Sequence, residues 1–453
     1  MRFSSTALAV AASISSANAA SKGFNYGAFF GNQQAKGYTD FKYEFEAAKE
    51  LPGTNGQFNS ARLYTMIQHG TANTVISAIQ AAIDTKTELL LGIWASAGQT
   101  VVDNEIAALK AAVSQYGSAF TDLVVGISVG SEDLYRITPT AIKNGETNPG
   151  AQPSQLVNYI NQVRSAIAGT PLAGKGIGHV DTWTAYDNSS NVAVIDALDW
   201  LGVDAYPFWE VDHDNSIGGA NATFYDALQK TKNAAKGKPV WVTETGWPVS
   251  GPSLGNAVAN PENAGIYWDD VTCSLLAQGV NLWYYTLQDV QYSTPSPSFG
   301  IKPGGDLKAV SPLFDLTCPS SVKPIGNQYI GQVSPTRSTL FALDIPSTPG
   351  KTCNTFFTLP GLFDPKYPTP FALNSPGGIS VSRLSGPNIA TTQDVSIVGS
   401  VPRLLPGNKQ LIESGPCAAG KQIGYRVDSV GGLDMTFFQM SGPAAIGLFV
   451  EVS

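Results

Sequence analysis

Charged side chains are scarce in this sequence. Asp, Glu, Lys and Arg make up 14% of the 453 residues, where a typical soluble domain has about 25%. The net charge is −8 and the pI is near 5.0, so no basic surplus exists to attract nucleic acid or an anionic lipid surface. Gly (46) and Pro (29) are plentiful instead, which suits a loop-rich extracellular protein.

Histidine and phosphate-binding motifs are also nearly missing. His69, His179 and His213 are scattered without metal-ligand spacing, so we expect hydrogen-bonded structural roles for them rather than a metal site. No Gly-rich phosphate loop is present. These absences argue against metal-dependent and nucleotide-dependent chemistry.

Long apolar runs are missing except for a short one at the N-terminus. Arg2 precedes an apolar stretch over Ala7–Ile14, and Ala17-Asn18-Ala19 has the A-x-A form of a cleavage site. This pattern predicts a secretory signal peptide over residues 1–20, because the stretch is too short to span a bilayer. The C-terminal GLFVEVS lacks the form of a lipid-anchor signal. We therefore expect a protein that is secreted, extracellular or held in a cell wall.

The sequence has four cysteines. The expected secretory route is oxidising and predicts that they form disulfides. Three pairings are possible. Cys273–Cys318 with Cys353–Cys417 is favoured, because each bond then closes a loop inside one domain.

The same route exposes two sequons to glycosylation. They are Asn188-Ser189-Ser190 and Asn221-Ala222-Thr223, and the predicted glycan sites are therefore Asn188 and Asn221. Sequons also arise by chance, so neither sequon establishes a glycan by itself.

Two stretches each combine a predicted buried strand with a carboxylate at its C-terminal end. In KPVWVTETGWP, Val240, Val242 and Glu244 alternate along the strand and are expected on one face. In LVVGISVGSE, the even positions are small up to Glu132 and the odd positions are large and aliphatic. Such a strand is typical of a closed barrel wrapped by helices, with the small face pointing inward.

Eight predicted strands alternate with helical patterns along the first two thirds of the chain. This order predicts the α/β class and a (β/α)8 TIM barrel over residues 21–317. The predicted strands are 24–30, 58–66, 88–96, 123–132, 177–186, 198–207, 238–244 and 280–287.

The pattern changes after the barrel. Residues 318–337 are rich in Pro, Ser, Gly and Lys, which predicts a linker. From 338 to 453 short alternating runs are separated by Gly and Pro turns, which predicts a small all-β sandwich or barrel.

A pair of carboxylates at the rim of such a barrel is what glycoside hydrolysis requires. One protonates the leaving oxygen, and the other attacks the sugar or activates water. A lone strand-end Glu is usually a solvated surface residue, but Glu132 and Glu244 end strands three steps apart and can face each other across the barrel mouth. A separation of about 5–5.5 Å would give retention of configuration.

Aromatic residues are concentrated at the same predicted rim, where sugar rings could stack on them. About half of them are expected to serve packing instead, and Trp200 and Trp241 are interpreted as packing residues. Asn25, Arg62 and Asp204 could bind sugar hydroxyls. The rim aromatics are Tyr26, Tyr64, Trp94, Tyr135, Trp183, Tyr206, Trp209, Trp247, Trp283 and Tyr285.

Three motifs resemble family 17 glycoside hydrolases, which are endo-β-1,3-glucanases and related glucanosyltransferases. They are FNYG at 24–27, VGSEDLYR at 129–136 and VTETGWP at 242–248, and the resemblance covers residues 22–315. It implies a retaining mechanism without metal or organic cofactor, with Glu132 as acid/base and Glu244 as nucleophile. It also implies a β-1,3-glucan substrate and a role in fungal cell-wall remodelling.

Two departures from the family pattern stand out. Ser131 replaces the Asn of the common V-G-N-E motif; that Asn binds the sugar 2-hydroxyl in related barrels, and a serine would reach it through water. The C-terminal GLDMTFFQMSGPAAIGLFVEVS resembles a β-rich domain once described as ubiquitin-binding. For this domain a wall- or glucan-binding role is our first expectation and a structural cap the second.

Two other functions fit the same residues. A β-1,3-glucan transglycosylase would use the same two acids with a sugar acceptor in place of water. A wall protein that binds carbohydrate without cleaving it is the alternative from another class, although both acids are present. Product length and reducing-sugar release separate the three.

Overall fold

The computed structural model describes residues 20–318, 330–345, 350–359, 371–384, 395–439 and 446–452. The predicted signal peptide up to residue 19, and the part of the predicted linker at 319–329, lie outside these residues. Within the described ranges the chain forms a parallel barrel followed by antiparallel sheets.

The barrel is closed by eight parallel strands in sequential order, with β1 hydrogen-bonded to both β2 and β8. This arrangement confirms the predicted (β/α)8 fold. Each strand is shorter than its prediction. Seven of them end before their predicted last residue, whereas β7 begins two residues late and ends at Glu244 as predicted. The strands are β1 (Lys22–Tyr26), β2 (Ser60–Leu63), β3 (Glu88–Ile93), β4 (Val124–Ser131), β5 (Ile177–Thr182), β6 (Trp200–Asp204), β7 (Val240–Glu244) and β8 (Leu282–Tyr284).

Helices surround the barrel and bury their apolar faces on the strands. Between β7 and β8 the helical residues Pro261–Tyr267 and Cys273–Ala277 are separated by a π-helical turn at Trp268–Thr272. Several helices of four to six residues were not predicted, because so few residues carry no readable helical period. The α-helices are α1 (Tyr38–Lys49), α2 (Ala78–Thr85), α3 (Gln99–Tyr116), α4 (Ser118–Thr121), α5 (Asp133–Arg136), α6 (Pro139–Lys143), α7 (Pro153–Ile167), α8 (Trp183–Asp187), α9 (Val192–Ala197), α10 (Ile217–Ala234), α11 (Pro261–Tyr267) and α12 (Cys273–Ala277).

Tryptophans fill the interior of the barrel. Trp200 and Trp241 stack with ring centroids 4.0 Å apart, and Trp283 packs in the same cluster. Glycines make the room: a Cβ at Gly178 would lie 2.3 Å from the Trp200 ring, and one at Gly126 would lie 2.9 Å from Trp241. The predicted small inner face of β4 therefore receives tryptophan side chains from other strands.

The prediction that Val242 and Glu244 lie on the same face of β7 is wrong. Val242 does not point into the barrel but packs with Tyr267 and Leu275 of the surrounding helices. The pairing with β6 skips a residue, since Val203 pairs with Val242 and the next β6 residue pairs with Glu244. This β-bulge re-aims the end of the strand, so Glu244 faces inward although Val242 does not.

The C-terminal part forms one four-stranded and two three-stranded antiparallel sheets around its own apolar core. This confirms the all-β prediction. Ile330–Val333 pairs with Asp434–Phe438, so sheet structure begins inside the segment predicted as linker. The strands are β9 (Ile330–Val333), β10 (Thr339–Asp344), β11 (Thr352–Thr358), β12 (Phe371–Ser375), β13 (Gly378–Leu384), β14 (Val395–Val401), β15 (Lys409–Pro416), β16 (Gln422–Val430), β17 (Asp434–Phe438) and β18 (Gly447–Val452).

Covalent cross-links follow the favoured pairing. Cys273 is bonded to Cys318 and Cys353 to Cys417, so one bond closes the barrel region and the other ties β11 to the end of β15. Among the described helices, none combines the length and apolarity needed to cross a bilayer.

The two sequons lie in different surroundings. Asn188 is exposed and follows α8. Asn221 is 7% exposed, and its Nδ2 donates to the Asp270 carbonyl at 3.0 Å. A buried amide that already donates to the main chain is a poor glycan acceptor in the folded protein, so the geometry argues against the Asn221 prediction and leaves Asn188 as a prediction.

Candidate active site

A cleft of about 1100 Å³ lies at the C-terminal ends of the barrel strands. This is the face on which TIM barrels carry their catalytic residues. Glu132 and Glu244 both line it, together with Tyr64, Trp94 and Tyr285. The topology therefore brings together the two carboxylates that the sequence singled out.

Glu244, at the end of β7, is held by three side-chain donors. Its Oε1 accepts from Arg62 Nη1 at 2.5 Å and from the Tyr64 hydroxyl at 2.7 Å, and its Oε2 accepts from the Tyr206 hydroxyl at 2.7 Å. Burial, followed by the charge of Glu244, raises the pKa of both tyrosines, so they remain donors. Such bonds favour the ionised carboxylate.

Arg62 is the centre of a network that joins four strands. It is 1% exposed. Besides Glu244, its Nη1 donates to Asn25 Oδ1 at 2.7 Å and its Nη2 donates to Ser131 Oγ at 2.9 Å. The Asn25 amide in turn donates to the carbonyls of Thr243 and Trp283, each at 3.1 Å. Asn25, predicted to bind substrate, therefore orients Arg62 instead.

Glu132 has a different environment at the end of β4. Its backbone is left-handed, with φ 56° and ψ 24°, a conformation that costs a non-glycine residue about 1–3 kcal/mol and is concentrated at functional sites. Its Oε2 lies 3.6 Å from Arg136 Nη2. Burial and the charges of Glu244 and Asp181 raise the pKa of Glu132 to about 8, against the opposing effect of Arg136 and Arg62.

The two carboxyl groups therefore have contrasting surroundings. Three donors bind the oxygens of Glu244, whereas desolvation and neighbouring carboxylates raise the pKa of Glu132. A carboxyl group that retains its proton, facing one that is bound by donors, is the arrangement of a general acid and a nucleophile or base.

Asp204 was predicted to bind sugar hydroxyls, and the structure corrects this. It is 2% exposed on β6 and accepts from Thr243 Oγ1 at 2.8 Å inside the barrel. Burial, then the charge of Glu244, raises its pKa. Asp204 belongs to the barrel interior next to Glu244 and does not line the cleft.

The predicted rim aromatics divide into two groups. Trp94 is 46% exposed and faces the cleft, whereas Trp247 is fully buried with its Nε1 donating to the Val258 carbonyl. Trp283 is also buried, and its Nε1 donates to Ser60 Oγ at 3.0 Å. Both are therefore packing residues. Trp283 lies inside the barrel on β8, and Trp247 follows β7 and packs against Phe208 and Tyr267.

Two further tyrosines that were predicted to bind substrate lie at the edge of the cleft or outside it. Tyr26 borders the cleft but is 4% exposed and packs edge-on against Phe45. Tyr135 is half-buried on α5 and lies outside the cleft lining. Neither tyrosine presents much surface to a ligand.

Several cleft residues were not predicted, because they lie on loops after the strands. Phe29 follows β1 and packs on His69, with ring centroids 4.5 Å apart, and Phe299 comes from the long segment after β8. All three line the cleft. Their position after the C-terminal ends of strands is the one sequence signal that could have identified them.

A TIM barrel whose fourth and seventh strands end in two carboxyl groups, facing an aromatic cleft, has the form of a glycoside hydrolase. Comparison with known proteins agrees with this class. Residues 23–301 match the BtgE/BtgC glycoside hydrolase domain. The chain belongs to this family, and its residues 316–443 match the Ubiquitin 3 binding protein But2 C-terminal domain.

Relatives with curated descriptions match the barrel part. The chain is 55% identical over 314 residues to a probable glucan endo-1,3-beta-glucosidase of Aspergillus fumigatus, covering 69% of each chain. It is 30% identical over 273 residues to a glucan 1,3-beta-glucosidase of Saccharomyces cerevisiae, covering 57% of this chain and 78% of the yeast protein.

A solved structure gives the same class. The glycoside hydrolase family 17 beta-1,3-glucanosyltransferase of Rhizomucor miehei matches with a TM-score of 0.52 and 26% identity, over 66% of this chain and 98% of that one. The predicted resemblance to family 17 is thereby confirmed.

Proposed function

We propose that the protein is a retaining endo-hydrolase of β-1,3-glucan. The observation that carries the proposal is the contrast between Glu244, bound by three donors, and Glu132, whose pKa is raised to about 8. The substrate class is supported by the relatives, which are described as glucan 1,3-beta-glucosidases.

In the first step of the proposed reaction, Glu244 attacks the anomeric carbon of the sugar. A bond forms between a Glu244 oxygen and C1, and the bond from C1 to the leaving oxygen breaks. Glu132 gives its proton to that oxygen, so the leaving sugar departs as a neutral alcohol. Arg62, Tyr64 and Tyr206 support this role by fixing the Glu244 carboxylate.

In the second step Glu132, now ionised, takes a proton from water. The water oxygen bonds to C1 while the bond from C1 to Glu244 breaks, and Glu132 is protonated again. Two inversions at C1 give overall retention. No step needs a metal or an organic cofactor.

Substrate contacts are proposed for the part of the cleft that stays open. Trp94 offers an exposed ring face for stacking, and Ser131 Oγ, already bonded to Arg62, lies where the family Asn would bind the 2-hydroxyl. The cleft volume of about 1100 Å³ exceeds the range of roughly 300–1000 Å³ usual for small-molecule sites. This size favours a chain-binding cleft and internal cleavage.

The biological setting is part of the proposal. The N-terminal signal pattern and the disulfides are consistent with export, and a β-1,3-glucan substrate points to a cell wall. We propose wall remodelling, with the C-terminal β domain binding the wall.

The test uses purified protein beside a Glu132→Gln/Glu244→Gln double variant, each incubated with linear β-1,3-glucan oligomers. Products are read by mass and anomeric configuration. Shorter, β-anomeric products from the wild type alone would support the proposal. α-Anomeric products would contradict retention, and glucan binding without products from either protein would leave a carbohydrate-binding wall protein.

A glucanosyltransferase is the second candidate, because the matching solved structure is one. The same two acids would act, with a sugar hydroxyl replacing water in the second step. Products longer than the starting oligomer in the same experiment would assign this activity.

A further inference from the structure

The acid/base segment after β4 holds an unfavourable backbone conformation. Gly130 has φ 85° and Glu132 has φ 56°, and the second of these is disfavoured for a residue with a side chain. The Glu132 N–H donates to the Val180 carbonyl of β5 at 2.8 Å. Such a conformation persists only where its surroundings determine it.

Two fully buried carboxylates bind the backbone on either side of Glu132. Asp133 Oδ2 accepts from the Ser131 N–H at 2.8 Å, and Asp181 Oδ2 accepts from the Leu134 N–H at 2.9 Å. Both aspartates are 0% exposed. The segment from 131 to 134 is therefore fixed by two buried carboxyl groups. Burial raises the pKa of Asp133, and the charge of His179 opposes that increase.

His179 of β5 lies next to both aspartates and is itself 0% exposed. Its Nδ1 is 2.7 Å from the Val129 carbonyl, which can only accept, so Nδ1 carries a hydrogen. Its Nε2 is 2.9 Å from Asp181 Oδ2. Asp181 also accepts from the backbone N–H groups of Leu134 and Thr182, and such donors favour a carboxylate as the acceptor for an Nε2–H. Both ring nitrogens are therefore placed to donate.

The titratable groups on the elements around the His179 ring favour its protonated form. Asp181 lies on the same strand, Asp133 comes from α5, and the Tyr186 ring of α8 packs edge-on 6.5 Å away. Burial opposes a charge on His179, but the hydrogen bond and charge of Asp181, with the charge of Asp133, outweigh it and raise its pKa.

We propose that His179 is a positioning residue: an imidazolium that keeps Asp181 ionised and thereby holds Glu132 in its left-handed conformation for proton transfer. His179 does not reach the cleft lining, so it acts through the backbone of residues 131–134. A neutral residue there would leave the carboxylates without their cation and release Glu132 from its position.

The inference rests on the proposed function, and leaving-group dependence tests it. A sugar leaving group needs a proton from Glu132, whereas 2,4-dinitrophenolate departs without one. kcat/KM is measured on a β-1,3-linked glucose pentasaccharide and on a 2,4-dinitrophenyl β-1,3-glucobioside, for wild type and His179→Gln. The control is His213→Gln, since His213 is 41% exposed and contacts Glu210 and Trp183 rather than the two aspartates.

A positioning role predicts a selective loss. His179→Gln should lower kcat/KM on the pentasaccharide by about 10- to 100-fold, part of the ~10²–10⁴ contributed by a general acid, and on the dinitrophenyl substrate by less than about threefold. Equal losses on both substrates would overturn the inference and leave the proposed function intact. Wild-type protein that cleaves neither substrate would overturn the proposed function itself.

A second measurement does not depend on the variant folding. ¹⁵N NMR of the histidine-labelled wild-type protein distinguishes an imidazolium from either neutral tautomer, and His69→Gln and His213→Gln assign the remaining signal to His179. We expect both ring nitrogens to be protonated at pH 7.5, above the ordinary histidine pKa of about 6.5. A neutral ring at that pH would overturn the inference.

Discussion

At the end of β7, Glu244 accepts hydrogen bonds from side chains of β2 and of the segment after β6. At the end of β4, Glu132 has one cation at 3.6 Å, and the order around it comes from main-chain hydrogen bonds. Hydrogen bonds to the carboxylate oxygens fix Glu244, whereas hydrogen bonds to the backbone fix the segment that carries Glu132. The proposed nucleophile is therefore held in place by its oxygens, whereas the proposed acid/base has a carboxyl end that is free to gain and lose a proton.

The largest effect is expected from replacing Glu244, the proposed nucleophile. Glu244→Gln keeps the shape of the side chain but cannot form the glycosyl bond, and we expect kcat to fall by about 10⁴-fold or more. The melting temperature serves as the control and should show that the protein remains folded. Substantial residual activity would assign the nucleophile to another residue.

Removal of the acid/base should cost less and depend on the substrate. Glu132→Gln is expected to lower kcat/KM on β-1,3-oligoglucosides by roughly 10²–10⁴-fold. On a dinitrophenyl glycoside the loss should be much smaller, because its leaving group needs no proton. Equal losses on the two substrates would mean that Glu132 does not act as the acid.

Loss of one donor to Glu244 should have an intermediate effect. Tyr206→Phe removes the 2.7 Å hydrogen bond to Oε2, and a hydrogen bond to a charged group is worth about 1.5–3 kcal/mol. We expect a roughly 10- to 100-fold decrease in kcat/KM. Tyr38→Phe, which removes an exposed bond to Asp84, is the matched control and should leave activity unchanged.

The smallest predicted effect is on the pH dependence of kcat/KM. Glu132 must be protonated in the free enzyme, so kcat/KM should fall as pH rises through about 8, the raised pKa of this group. Because the Glu244 charge contributes to that increase, Glu244→Gln should lower the Glu132 pKa. ¹³C NMR titration of labelled Glu side chains measures this change, and an unchanged or higher value would contradict the coupling.

Much of the fold could be predicted, because period-2 alternation and helical spacing are local properties of the chain. All eight barrel strands were found, and the two catalytic candidates stand at the predicted strand ends. The β7 bulge could not be predicted, since it exists only in the pairing of Val242 and Glu244 with β6. The same holds for the tryptophan cluster inside the barrel, where Gly178 and Gly126 leave room for Trp200 and Trp241.

The role of each polar residue was harder to predict than its presence. Asn25 and Asp204 carry the chemistry expected of sugar ligands. Asn25 borders the cleft, but its side chain is bonded to Arg62 and to main-chain carbonyls, and Asp204 lies in the barrel interior. His179 was expected to have a hydrogen-bonded structural role, and the structure gives it bonds at both ring nitrogens beside the acid/base segment.

The sequence by itself determined that two glutamates end the fourth and seventh strands of a TIM barrel, because strand order and alternation are written in consecutive residues. Only the tertiary structure decided which carboxyl group is bound by donors and which has its pKa raised. Arg62 and Tyr64 lie 182 and 180 residues from Glu244 along the chain, and the charge of Glu244 in turn acts on Glu132. A carboxyl group's protonation depends on burial and on neighbouring charges in space, which no local stretch of sequence contains.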